Sequence, residues 1–149
     1  MITFKPVDAS NYLNVVNLKL HPHQENFVSP NWQSLLEAIY EEDKNPFAIY
    51  NDSEVVGFIL CSYYPADEAY PVDSWWVERL MIDKVWQGKG IGRQALLLFL
   101  EEFKQSTEVK DIRIGVEPDN DVAISLYESL DFKKEGVVDG ETVYVKILD

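Results

Sequence analysis

Residues 74–93 read SWWVERLMIDKVWQGKGIGR, and two structural signals meet inside them. SWWVERLMI, at 74–82, carries apolar residues on both faces of an extended chain and predicts a central strand. Gln87, Gly88, Lys89, Gly90, Ile91, Gly92 and Arg93 then lead into an apolar-periodic segment at roughly 91–105. That period predicts a helix with Leu96, Leu97, Phe99, Leu100 and Phe103 buried. Glycines let successive N–H groups turn toward one point, and the first helical turn leaves its own N–H groups unpaired. The helix dipole adds partial positive charge there, so a phosphate or pyrophosphate is the natural occupant. A Rossmann fingerprint would need G-x-G-x-x-G, and here the third glycine is misplaced. The P-loop pattern is absent, and a strand-to-helix turn that binds nothing stays open as an alternative.

Working outward, FAIYN and VVGFILCSYY, separated by Asp52-Ser53-Glu54, predict an antiparallel hairpin upstream of the central strand. ITFKPV at 2–7 alternates as an edge strand does. Asp8 is positioned to cap a helix near 10–20, with Tyr12, Val15, Val16 and Leu20 at helical spacing. Ser29-Pro30 signals a second helix over Trp32 to Glu42, and 65–73 is an irregular loop. Downstream, DIRIGVE at 111–117 predicts a strand with Ile112, Ile114 and Val116 on one face. PDNDVAISLYESLDF opens a helix that is apolar at Val122, Ile124, Leu126 and Leu130. A closing hairpin turns at Asp139-Gly140. The order describes one α/β domain over 1–149, a mixed sheet with helices on its faces.

Composition narrows the function. A chain of 149 residues with 46% hydrophobic residues can bury a real core, and its net charge is −13. That acidity excludes a non-specific nucleic-acid binder and suits a partner that is a cationic small molecule. The charge is uneven: residues 1–75 hold 11 acids and only Lys5, Lys19 and Lys44, whereas 83–93 carry a local +2. An anionic ligand fits the basic glycine island, and a cationic one fits the rest. Cys61 is the sole cysteine, which excludes an intramolecular disulfide framework and a Cys-rich zinc site. With no leader-like N-terminus and no membrane-length apolar run, the expectation is a soluble, cytoplasmic protein without a membrane partner. No metal is expected, since His21 and His23 lack further ligands around them.

Gln87, Gly90 and Gly92 at this strand–loop–helix junction form Q-x-x-G-x-G, which resembles the acetyl-CoA loop of the GNAT superfamily of N-acetyltransferases. Val116 to Asn120, Ala123, Leu126-Tyr127 and Asp131-Phe132 resemble that family's second motif, with Asp131 where members usually carry glycine. Asp also adopts the left-handed conformation such a turn needs. The resemblance covers essentially the whole chain and implies the GNAT-type sheet, mostly antiparallel, with helices on both faces. Within the superfamily the chain looks most similar to bacterial diamine and spermine/spermidine acetyltransferases. The implied activity is acetyl transfer from acetyl-CoA to a primary amine, first of all a polyamine such as spermidine, by a homodimer. Another small amine, a protein amine, or a non-catalytic acyl-CoA sensor domain are the alternatives.

By the resemblance, the backbone of Gly88 to Arg93, with Gln87, Lys89 and Ile91, holds the coenzyme pyrophosphate. Leu80, Met81 and Ile82 pair with the pantetheine arm, and the N–H near Leu80 stabilises the thioester oxyanion. Asn120 lies near the pantetheine or simply caps its helix. Tyr127 is the implied proton donor to the departing thiolate, and a core tyrosine is the alternative. Glu78, a carboxylate on the central strand, is expected to face the same side as Leu80 and Ile82, and to bind the ammonium or relay its proton. Arg79, on the opposite face, is expected to be structural, and a salt bridge is the plainer role for Glu78. Glu68 and Tyr70, with Asp67 and Asp73 around them and Trp75 and Trp76 close behind, could bind ammonium groups by charge and cation–π attraction, and a solvated acidic loop is the alternative. Gln24 and Glu25 fall where the family builds its acceptor wall. Cys61 is expected in the core.

Overall fold

In the computed structural model, which describes residues 1–149, strands and helices follow the predicted order. β1 (Ile2–Pro6) is followed by α1 (Tyr12–Val16) and α2 (Asn31–Tyr40), then by β2 (Lys44–Asn51), β3 (Glu54–Tyr64) and β4 (Ser74–Ile82). After them come α3 (Ile91–Ser106), β5 (Asp111–Val116), α4 (Asp121–Ser129), β6 (Lys133–Val138) and β7 (Glu141–Ile147). The seven strands form one sheet in the order β1-β2-β3-β4-β5-β7-β6. Every pairing is antiparallel except β4 with β5, as the crossover through α3 requires.

Two apolar clusters cover the sheet. The larger joins Ile59, Cys61, Val77 and Ile82 to α3 through Ala95, Leu96, Phe99 and Phe103, and to α4 and its exit through Tyr127 and Leu130. The smaller joins Ala48, Phe58, Leu60 and Met81 to Val15 of α1, with Leu35 of α2 against it. Burial pushes the Cys61 thiol up to about 12, so the core reading of that residue holds.

Several local expectations are corrected. α1 is only five residues long, and Asn11, not Asp8, precedes it. The Asp8 carboxylate instead accepts bonds from the Ser10 N–H and hydroxyl at 2.8 and 2.6 Å, closing a turn before the helix. Pro30 is itself the residue before α2, so that helix begins at Asn31, and it ends at Tyr40. Leu97 and Val122 are exposed, at 45% and 83%. Both lie beyond the arc of their helix that the sheet covers.

Asp131 has φ 67°, the left-handed conformation expected of the residue that replaces glycine after α4. Gly57 on β3 serves a different need. A Cβ there would lie 2.6 Å from the Met81 carbonyl oxygen and 2.8 Å from Ile82 Cδ1. Gly57→Ala should therefore lose about 1–3 kcal/mol through overpacking. Urea unfolding checks this, and an unchanged midpoint would show that β3 and β4 can part at no cost.

Candidate active site

β4 and β5 pair only at Trp76↔Arg113 and Val77↔Ile114. Past Val77 they separate, because β4 carries a bulge against β3: Leu60 faces Arg79, the next residue Cys61 faces Val77, and Glu78 is left unpaired. The separation opens a cleft of about 870 Å³. Its walls include Val77–Ile82 of β4, Ile114–Glu117 across β5 and its exit, the glycine turn before α3, and α4 from its cap to Tyr127. An apolar arm could enter between the strands, with unpaired β4 backbone along one side.

The glycine turn forms the mouth. Gly88 and Gly90 have φ of 75° and 79°, and Gly90 directly precedes α3. No atom lies within 4 Å of a Cβ placed on either, so glycine is required there by backbone conformation and not by crowding. Gln87 ties the turn down: its amide donates to the Ile82 carbonyl and exchanges hydrogen bonds with Gln24, each at 2.9 Å. Asn120 caps α4 by accepting from the Ala123 N–H at 3.3 Å.

The cleft gathers Gln24, Glu78, Leu80, Met81, Ile82, Gln87, Gly88, Gly90, Ile91, Gly92, Asn120 and Tyr127 from the residues singled out in the sequence. Lys89 and Arg93 are not among its walls. Lys89 lies 5.3 Å from the centre of the Trp86 ring, and Arg93 donates to the Ser129 hydroxyl at 2.6 Å. Glu25 and Glu68 are exposed and line no part of the cleft. Tyr70 lines a second cavity of about 280 Å³ with Tyr64, Asp67, Trp76 and Asp139. It is also pinned, since its hydroxyl bonds Glu135, whose carboxylate holds the buried Arg113 through two 3.2 Å contacts. The two cavities share Glu78, Arg79, Gly115 and Glu141.

Tyr127 is 7% exposed and packs on Phe132, with ring centres 5.9 Å apart. Burial, reinforced by the charge of Glu141, raises its hydroxyl well above 10, so it is protonated at neutral pH. Glu78 departs from its expected orientation. Leu80 and Ile82 pack into the α3-side cluster, whereas both Glu78 and Arg79 reach groups on the α2 side. The bulge is the reason, since an inserted residue breaks the period-two alternation. The Glu78 carboxylate accepts from Lys44 at 2.6 Å, and from the Ser62 and Tyr64 hydroxyls at 2.5 Å each, with Arg79 3.4 Å away. Burial opposes its ionisation, yet the hydrogen bonds from Lys44, Ser62 and Tyr64 prevail and hold its pKa below 4.5. It is ionised at neutral pH, and its lone pairs are already engaged.

Comparison with known proteins agrees with this geometry. A model of the acetyltransferase (GNAT) family matches residues 12–132. The spermine/spermidine N(1)-acetyltransferase of Bacillus subtilis (strain 168) is 28% identical, over 99% of both chains. The aminoglycoside N(6')-acetyltransferase of Legionella pneumophila superposes with a TM-score of 0.77 at 18% identity, over 99% of this chain and 92% of that one. The spermidine N-acetyltransferase of Vibrio cholerae, solved with CoA and spermine, gives 0.72 at 17% identity, over 99% and 95%. At those identities the two structures speak for the fold.

The ion pair at the bulge makes a stability prediction. The Lys44 side chain is 3% exposed, so Glu78→Gln removes its nearest counter-charge, leaving the Tyr64 hydroxyl at 2.7 Å and Glu41 at 3.7 Å, and should cost about 1–3 kcal/mol. Lys44→Met/Glu78→Gln should recover much of that loss. Glu78 titrates lower in the fold than its ordinary 4.5, so its contribution is present above that pH and lost as pH falls through the folded value. Lys44 titrates above its ordinary 10.5, so its contribution is present below that pH and lost as pH rises through the folded value. Melting temperature against pH should therefore flatten at both ends in the double variant. Unaltered limbs would mean the pair contributes nothing.

Proposed function

The chain belongs to the acetyltransferase (GNAT) family, and from that premise we propose that it transfers the acetyl group of acetyl-CoA directly to a primary amine of a polyamine or diamine such as spermidine. The observation that carries the substrate class is the meeting of two unlike cavities at Glu78, Arg79, Gly115 and Glu141. One is a cleft between parted strands with a glycine turn at its mouth, suited to an anionic coenzyme with an extended arm. The other joins Asp67, Asp139 and Glu141 to Tyr64, Tyr70 and Trp76, the acidic and aromatic lining a chain of ammonium groups favours. The full-length likeness to a spermine/spermidine acetyltransferase supports the same class.

In this reading the backbone of Gly88 to Arg93 takes the pyrophosphate, Leu80 to Ile82 align the pantetheine, and Asn120 stands beside it. Lys89 and Arg93 add positive charge around the mouth. The N–H near Leu80 stabilises the oxyanion, and Tyr127 gives its proton to the leaving thiolate. Glu78, its lone pairs engaged within the protein, contributes charge that draws the reacting ammonium to where the cavities join, Gln24 borders the acceptor, and the exposed Glu25 and Glu68 attract a polycation at a distance. The reading carries a cytoplasmic location and a homodimer. The exposed Trp32, Leu36, Ile39 and Tyr40 of α2 support the latter.

An amine with a lysine-like pKa is neutral in only roughly one molecule in 2,500 at pH 7, a deficit of about 4.6 kcal/mol that the site must offset. CoA release should be measured with spermidine, spermine, putrescine, an aminoglycoside and a peptide with a free N-terminus. The polyamines should show the highest kcat/KM. Turnover confined to another amine would discard the substrate class, and none at all would favour the sensor alternative. Tyr127→Phe should lower kcat about 100-fold with acetyl-CoA affinity retained, the scale expected for a lost general acid. Wild-type kcat in that variant would leave Tyr127 a packing residue. Gly90→Val should weaken acetyl-CoA binding in a folded protein, and unchanged calorimetric affinity would refute the placement of the pyrophosphate.

A further inference from the structure

Glu141 opens β7 at the junction of the two cavities. Its carboxylate is half-buried, and no hydrogen bond or ion pair within the protein engages it. A Cβ on Gly115 would lie 2.9 Å from Glu141 Oε1, so the carboxylate lies against β5 in the space that glycine leaves. Its charge reaches Tyr127 on α4, which also lines the cleft. The charged groups facing Glu141 are Glu117 after β5, Glu78 and Arg79 on β4, and Asp139 in the β6–β7 turn. Burial, then these three carboxylates against one guanidinium, raise Glu141 above its ordinary 4.5. Glu78 is the reverse case, stabilised as an anion by Lys44, Ser62 and Tyr64.

We propose that Glu141 is the catalytic base of the transfer, the group that takes the proton from the acceptor's ammonium. The assignment rests on the acetyl-transfer reading above. The carboxylate removes one proton from the –NH3⁺ group, freeing the nitrogen lone pair. That pair forms the C–N bond to the thioester carbonyl carbon as the carbonyl π electrons move to oxygen. When they return, the C–S bond breaks and sulfur takes the proton of Tyr127. The nitrogen loses its second proton, which restores Tyr127, and Glu141 releases the first to solvent. The sum is an amide, a thiol and one proton from an ammonium and a thioester. Gly115 is then a positioning residue, because any side chain there would displace the carboxylate.

The test is the pH profile of kcat/KM between pH 6 and 9 with an amine the wild type turns over. A wild type with Glu141 as base levels off once the carboxylate is ionised. Glu141→Gln should fall about 100-fold at pH 7, with the deficit narrowing about tenfold per pH unit as more amine arrives neutral. Its acetyl-CoA affinity should stay at the wild-type value, and its melting temperature should not fall, since the substitution removes an unpartnered charge among three carboxylates. Gly115→Ala should show the same pH-dependent deficit, and it carries the test alone if Glu141→Gln does not fold. A wild-type profile, or a loss equal at every pH, would overturn the assignment and leave the acetyl-transfer reading intact. A wild type that turns over no amine would instead refute that reading, and this assignment with it.

Discussion

A single unpaired residue on β4 sets the geometry of the site. Glu78 is inserted opposite Leu60 and Cys61, and it is the first β4 residue past the last pair with β5, Val77 with Ile114. A bulge bends its strand and strengthens the local twist, so two parallel strands that start together at Trp76 and Val77 must part. The cleft follows from that parting, as does the free β4 edge along which an extended arm could bond. The residue responsible carries a charge, and the fold holds it with Lys44, Ser62 and Tyr64 from β2 and β3. Glu78 is therefore part of the architecture whatever it contributes to the chemistry.

Electrostatics then divides the two carboxylates at the junction. Glu78 and Glu141 both border the two cavities, but one is wrapped in donors and the other has none. A donor-wrapped carboxylate keeps its charge and is a weak proton acceptor. An unpartnered one among like charges binds a proton more readily, as a base working on an ammonium requires. Tyr127, buried near Glu141, stays protonated for the same reason that Glu141 is raised: negative charge is poorly solvated there.

Much of this was legible in the sequence, and the remainder was hidden for definite reasons. Strong periodicity and turn residues gave the element order, and Gly88 and Gly90 do occupy the left-handed region the motif requires. Asp131 fills the glycine position by adopting that region too. The bulge was invisible because period-two alternation is the only rule a sequence supplies for a strand, and it misassigned the face of Glu78 relative to Leu80. Lys44, the main partner of Glu78, lies 34 residues away. Glu141 sits in Asp-Gly-Glu at a hairpin turn and reads as a solvated carboxylate. Only the pairing of β5 with β7, Val116 opposite Thr142, brings it against Gly115 and the cleft.

The most direct test of the account is a crystal structure with a bisubstrate adduct, spermidine joined through an acetyl linker to the sulfur of CoA. The account predicts the pantetheine between β4 and β5, the pyrophosphate at Gly88 to Arg93, and the polyamine in the chamber of Tyr64, Tyr70 and Trp76. The linked nitrogen should lie within hydrogen-bond reach of Glu141. An adduct bound outside the parted strands, or a polyamine that leaves that chamber empty, would contradict it.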